Sequence, residues 1–174
     1  MKEYVHLLAW YNSKANAAMY QILVELSDKE RKKEVGSYYH SLDGIIRHLY
    51  QSDLIWLTRI SAGFPGLSAS VTETIDRPDI ELHENDDFSA LWGKRKRADA
   101  VLEKVTVEIS SEQMTRELVY VDKRGNERRY ILWQTLAHIF NHQTHHRGMV
   151  AEILDQMKVA NDFSNIIWYI APPQ

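Results

Sequence analysis

Four of the eight histidines in this 174-residue chain fall in one twelve-residue run, Ala137-His-Ile-Phe-Asn-His-Gln-Thr-His-His-Arg-Gly148, as His138, His142, His145 and His146. Residues four apart on a helix differ by about 40° in azimuth and about 6 Å in rise, so His142 and His146 project side by side from one face. Two imidazoles placed in this way can grip one cation. The same face continues through Ile139, Met149 and Ile153 at steps of three and four, which turns the pair toward a protein core. A catalytic zinc-type site takes three protein ligands and keeps one position open, so a third must come from another element. His48, three residues after Ile45 at the edge of a second apolar stripe, is the candidate. His6, His40 and His83 have weaker claims, two near helix starts and one in a long loop. His138 shares the ridge of His142 and His146 and stays open as a ligand; with His145 and Arg147 it is otherwise read as a support for the ligands. The competing reading has these imidazoles satisfying one another and backbone carbonyls in a wet core.

With no cysteine in the chain, any metal must be held by His, Asp or Glu, and a disulfide framework, a zinc finger, an iron–sulfur cluster and a thiol nucleophile are excluded. Three neutral imidazoles leave the full charge of a divalent ion available to acidify a bound water or thiol, and any thiol must arrive as a small-molecule cosubstrate. Imidazole ligation suits zinc, nickel, iron or copper, with zinc, nickel and iron the leading candidates. The formal charge is -3, from 21 Lys and Arg against 24 Asp and Glu, which leaves no broad electropositive field for nucleic acid. Lys94-Arg-Lys-Arg97 reads as a solvated helix face. No apolar run approaches membrane-spanning length and the first residues lack the pattern of a signal peptide, so a cytoplasmic location is expected.

The elements that must carry these residues are helices, since 7 Gly and 4 Pro are too few for an all-β chain. A first stretch, about Glu3 to Leu26, puts Tyr4, Leu8, Tyr11, Ala15, Ala18 and Ile22 on one stripe. Ser27-Asp-Lys-Glu30 has the form of a capping box. A second helix, about Ser37 to Ala62, carries Tyr38, Leu42, Ile45, Leu49, Trp56 and Ile60 and stops at Gly63. From Gly63 to about Asp86 the pattern dissolves into a connection long enough for a crossover between parallel helices. A third helix, capped by Asp86 or Asp87, carries Phe88, Leu91, Ala98, Leu102, Val105 and Ile109, with Arg95 interrupting the stripe to reach a buried carboxylate or to snorkel to water. Residues 117–122 and 127–130 flank a Gly-containing turn as a small hairpin, and a last helix runs from about Leu132 to Met157. Residues 166–170 form an apolar tail that packs back on the body. Asp53 lies about 140° around the helix from His48 and so faces elsewhere, to pair with an Arg or to cap a neighbour. The whole, residues 1–174, is read as a single domain, an all-α four-helix bundle, a fold that commonly builds metal sites from facing helices.

The stretch from His48 to Arg59, the run Asn141-His-Gln-Thr-His-His-Arg-Gly148, the segment Ala9-Trp-Tyr-Asn-Ser-Lys-Ala-Asn16 and the hairpin Val119-Tyr-Val-Asp-Lys-Arg-Gly125 together resemble the DinB-like family of DNA-damage-inducible proteins, which includes the YfiT-like metal-dependent hydrolases. The likeness covers nearly the whole chain. It implies an up-down-down-up bundle, usually dimeric, with one divalent ion held by three His; the matching positions are His48, His142 and His146. Members with known activities include thiol transferases acting on bacillithiol or mycothiol and a mycothiol-dependent maleylpyruvate isomerase. The family is distinct from the DNA polymerase of the same label. The expectation is therefore a metal-dependent hydrolase or thiol S-transferase; the alternative is a non-catalytic, dimeric, stress-related bundle with a structural ion or His cluster.

Overall fold

The computed structural model describes residues 1–67, 71 and 86–170. Four long helices carry the architecture: α1 (Lys2–Leu23), α3 (Leu42–Gly63), α4 (Phe88–Glu108) and α6 (Leu132–Gln156). Short elements join them: α2 (Asp28–Arg31), a 3-10 turn at Pro65–Leu67, α5 (Ser111–Met114), and α7 (Ile166–Ile170) after the last long helix. An antiparallel hairpin, β1 (Glu117–Val121) with β2 (Glu127–Ile131), stands between α5 and α6, Val119 opposite Arg129. Most of the 63–86 connection, with His83, lies outside the described residues.

Local chemistry sets the helix ends. Ser27 and Glu30 form the expected capping box. Helix α1 stops at Leu23 rather than Leu26: the following N–H groups of Glu25 and Leu26 turn to the tighter i−3 carbonyls, and Arg31 folds back to donate to the Leu23 and Leu26 carbonyls that the helix end leaves available. Helix α3 starts at Leu42, not Ser37: His40 takes a positive φ of 65°, which no helix accommodates, and the Ser41 hydroxyl caps the Gly44 N–H. Tyr38 is consequently 86% exposed instead of lying on a core stripe. In α4, Asp87 is the cap, and Phe88, Leu91, Ala98, Leu102, Val105 and Ile109 are all buried as the spacing predicts. At the hairpin turn Gly125 has φ +80° and the Asp122 carboxylate accepts from the Arg124 and Asn126 N–H groups. Those backbone bonds and Arg128 hold its carboxyl down at about 2.

Apolar burial falls into two clusters. One gathers Val5 and Ala9 of α1, Leu57 and Ile60 of α3, Val101 to Val105 of α4, Leu132 to Phe140 of α6 and Leu118 of the hairpin. The other gathers Met19 to Leu23, Leu42 to Tyr50, Phe88 to Ala98 and Val150 to Leu154. Between them lies a buried polar layer to which every long helix contributes. Arg95 of α4 is 2.8 Å from Asp53 of α3 and 2.8 Å from Asp99. Asn12 and Asn16 of α1 donate to Asp99, and Gln143 of α6 donates to Asp53 at 2.6 Å. Arg147 donates to the Asn12 side-chain oxygen and, at 3.3 Å, to that of Asn16.

This layer changes two expectations and settles a third that was left open. The buried face of α1 is Val5, Ala9, Tyr11, Asn12, Ala15, Asn16, Met19, Tyr20 and Leu23, which shares Tyr11 and Ala15 with the apolar stripe but is centred to one side of it, so that Tyr4 is 62% exposed and both Asn side chains reach Asp99 and Arg147. Arg95 reaches buried carboxylates and does not snorkel, and Asp53 is one of its partners. Lys94 is buried beside Asp86, so the run Lys94 to Arg97 is no solvated basic face. Tail helix α7 packs only partly: Tyr169 meets Trp10 and Tyr11, while Ile167, Trp168 and Ile170 stay exposed.

Candidate metal centre

His48 lies two turns into α3, and His142 and His146 lie one turn apart on α6. Packing of α3 against α6 brings them together. The ring centroids stand 5.0 Å apart for His48 and His142, 4.8 Å for His48 and His146, and 4.4 Å for His142 and His146. One nitrogen from each ring falls within 4.8 Å of the others, a grouping able to hold a metal ion. His146 is buried; His48 and His142 are half-buried, so the cluster faces the protein on one side and solvent on the other.

The nitrogen chemistry fits a cation. His48 Nε2 and His142 Nε2 approach to 3.0 Å, and at most one of two neutral rings can put a proton between them. The buried Nδ1 atoms of His142 and His146 have no hydrogen-bond partner. Burial pushes both imidazoles down to about 4, reinforced by neighbouring histidines: His48 for His142, and His142 and His48 for His146. His48 is lowered by burial as well. All three are neutral near pH 7, the form that binds metal through a lone pair.

Sequence spacing missed a fourth group, Tyr39. Its hydroxyl lies 3.0 Å from His48 Nε2, its ring stacks on His48 at 4.3 Å and meets His146 edge-on at 5.1 Å. Burial raises its phenol, keeping the proton on the oxygen. Two features place it. The positive φ at His40 and the bond from Val35 N–H to the His40 carbonyl fold the segment before α3 back on itself. Gly44 lets the Tyr39 carbonyl lie against the first turn of α3, where a Cβ would stand 2.0 Å from that oxygen. The clue available in the sequence was Gly44, a helix-disfavouring residue three after a Ser cap.

Among the other candidates, the His138 ring lies tilted 5.9 Å from that of His142 and meets Trp56 edge-on at 5.2 Å, and it is exposed; it lies outside the three-nitrogen grouping. His145 is exposed and touches the cluster only through the edge of His146, at 4.8 Å. Arg147 points to Asn12, Asn16 and Gln143 in the polar layer and stands over the Tyr11 ring, so its side chain is spent on helix packing rather than on the histidines. His6 bonds Thr106, and His40 pairs with Glu34 at the surface.

A helical chain that carries a hairpin before its last long helix and three imidazoles converging from two helices defines a recognisable class. The profile of the DinB family matches residues 1–171, and the chain belongs to that family. Protein DinB of Bacillus subtilis (strain 168) is 24% identical over 162 residues, 92% of this chain and 90% of its own length. The crystal structure of a DinB-like protein from Bacillus subtilis, YjoA, superimposes with a TM-score of 0.62 at 15% identity, over 88% of this chain and 94% of the other. At that identity the likeness speaks for the fold.

Proposed function

We propose that the protein binds one divalent metal ion through His48, His142 and His146 and works as a metal-dependent enzyme of hydrolase or thiol S-transferase type. The observation that carries this reading is the convergence of three neutral imidazoles, two with unpartnered buried nitrogens, at a site open to solvent on one side. A divalent ion on three uncharged ligands acts as a Lewis acid and lowers the pKa of a water or thiol that joins it. The chain's own part is to hold the imidazoles neutral, to shield one side of the cluster with His146 and Tyr39, and to offer the Tyr39 hydroxyl as a proton donor beside His48. Zinc, nickel and iron all suit imidazole ligands.

The same reading takes the four long helices as an up-down-down-up bundle. It is supported by the run of α1 and α6 from the first apolar cluster to the second, against the opposite run of α3 and α4. It also takes the protein as a homodimer acting in the cytoplasm. No described helix is long and apolar enough to cross a membrane.

Elemental analysis of the purified protein tests the ligand set: near-stoichiometric metal in the parent, and loss in His142→Ala. Chelation then separates a working ion from a structural one. Helical circular dichroism that survives removal of the metal supports the enzyme reading, whereas collapse of the helices favours a structural ion. A thiol-transfer assay with bacillithiol-like cosubstrates and restored metal tests the reaction type.

A further inference from the structure

A second concavity lies beside the histidine cluster, where the hairpin folds over α3 and α6. Its volume is about 240 Å³, and among the described residues it is lined by Trp56, Tyr120, Tyr130, Gln134, Thr135 and His138. Three aromatic rings form its walls: Trp56 meets Tyr120 edge-on at 5.7 Å, and Tyr120 meets Tyr130 at 6.3 Å. Sites for larger organic ligands run from about 300 Å³ upward, so this one suits a single ring with a small head group. Flat faces and edges of this kind favour a planar, unsaturated occupant.

Thr135 of the lining and Arg59, which stacks on two of the lining rings without itself lining the cavity, define the head group. The Thr135 hydroxyl is buried, with its residue 3% exposed, and has no hydrogen-bond partner. A buried hydroxyl without a partner in the wall of a cavity is an available donor. The Arg59 guanidinium stands over the Tyr120 ring at 3.9 Å and the Trp56 ring at 4.6 Å, and no carboxylate pairs with it among the described residues. The described lining contains no acidic residue. A planar fork of donors beside an acid-free aromatic pocket matches a carboxylate.

We infer that this pocket is a binding site for a small planar carboxylate, its ring held by Trp56, Tyr120 and Tyr130 and its carboxylate by Thr135 and Arg59. His138 is the shared wall: its ring lies in the pocket and 5.9 Å from the ring of His142. The hairpin, which contributes nothing to the histidine cluster, acquires a role as the pocket's outer wall. Binding rests on these residues alone and does not require the metal; a bound molecule would lie next to the proposed centre.

The probe is benzoate, titrated by calorimetry and ligand-observed NMR into the protein as purified and after chelation, with benzamide as the uncharged control. Benzoate is expected to bind both forms, and Thr135→Val and Arg59→Met are each expected to weaken it by about tenfold, the loss of one charge-assisted hydrogen bond. Thr135→Val keeps the side-chain shape, so it remains informative if Arg59→Met impairs folding. Absence of binding up to about 10 mM, equal affinity for benzamide, or unchanged affinity in Thr135→Val overturns the inference. Binding lost on chelation also overturns it, because the carboxylate then sits on the metal; failure of the metal reading instead leaves benzoate binding intact in protein that holds no ion.

Discussion

Imidazoles make useful ligands only when they are neutral, and the three at this site are kept so by burial and by one another. His142 and His146 have pKa values of about 4 against an ordinary 6.5. Metal retention should therefore be steady near neutrality and fall on acidification, when protons compete for the lone pairs. His142→Ala and His146→Ala should each reduce bound metal at least tenfold at micromolar free metal, measured by elemental analysis after desalting. Tyr39→Phe offers a contrast. Its ring would still stack on His48 while the hydroxyl is gone, so metal content should stay near that of the parent and any thiol-transfer or hydrolytic rate should drop. A variant that loses its metal would make Tyr39 a ligand and displace the assignment of three histidines.

At the scale of single elements, the site depends on where helices begin. Ser41, Gly44 and the turn at His40 set the start of α3 and bring Tyr39 across its first turn. Gly44→Ala would put a methyl group 2.0 Å from the Tyr39 carbonyl, and a backbone atom cannot swing aside as a side-chain tip can. The substitution should cost about 1–3 kcal/mol and shift Tyr39 off His48, despite the higher helix propensity of Ala. Denaturant unfolding reads the first effect and the chemical shifts of the His48 ring read the second; unchanged values in both would show that the segment before α3 is free to move.

Across the whole molecule, the polar layer between the apolar clusters sets the relative rotation of the four long helices. Asp53 and Asp99 carry two negative charges, Arg95 and Arg147 two positive, and Asn12, Asn16 and Gln143 fill the remaining hydrogen-bond positions. Removing one partner of such a set leaves a buried charge uncompensated, so Arg95→Met should destabilise by about 3–5 kcal/mol, a drop of roughly 10 °C in Tm by calorimetry. Acid has opposing effects. Histidines held at about 4 take up protons on unfolding, so their contribution to stability falls as pH drops from about 6.5 toward 4. Burial raises Asp99 to about 6 from 3.8, and a carboxyl of raised pKa contributes stability below its unfolded value that is lost as pH rises through 6. These windows overlap with opposite sign. The histidines outweigh the carboxyl, so metal-free protein should lose Tm between pH 7 and pH 5 with Asp99 offsetting only part of the loss, and metal-loaded protein should lose more as the ion leaves; matching profiles with and without chelator would exclude histidine-bound metal as a source of stability.

The sequence alone determined the elements and the ligand candidates. Periodicity located the long helices and the core face of α4, Gly125 and its neighbours located the hairpin, and two imidazoles four apart on a helix must share a face whatever surrounds them. A period computed on apolar residues alone could not see that Asn12, Asn16 and Gln143 face inward, because a buried amide looks like a surface residue until its partner is known. For that reason it centred the stripe of α1 to one side of the buried face, with Tyr11 and Ala15 inside, Leu8, Ala18 and Ile22 at the edge and Tyr4 exposed. The meeting of His48 with His142 across 94 residues, the stacking of Tyr39 and the pocket beneath the hairpin were decided only by tertiary structure, since each depends on how helices rotate and pack rather than on where they run.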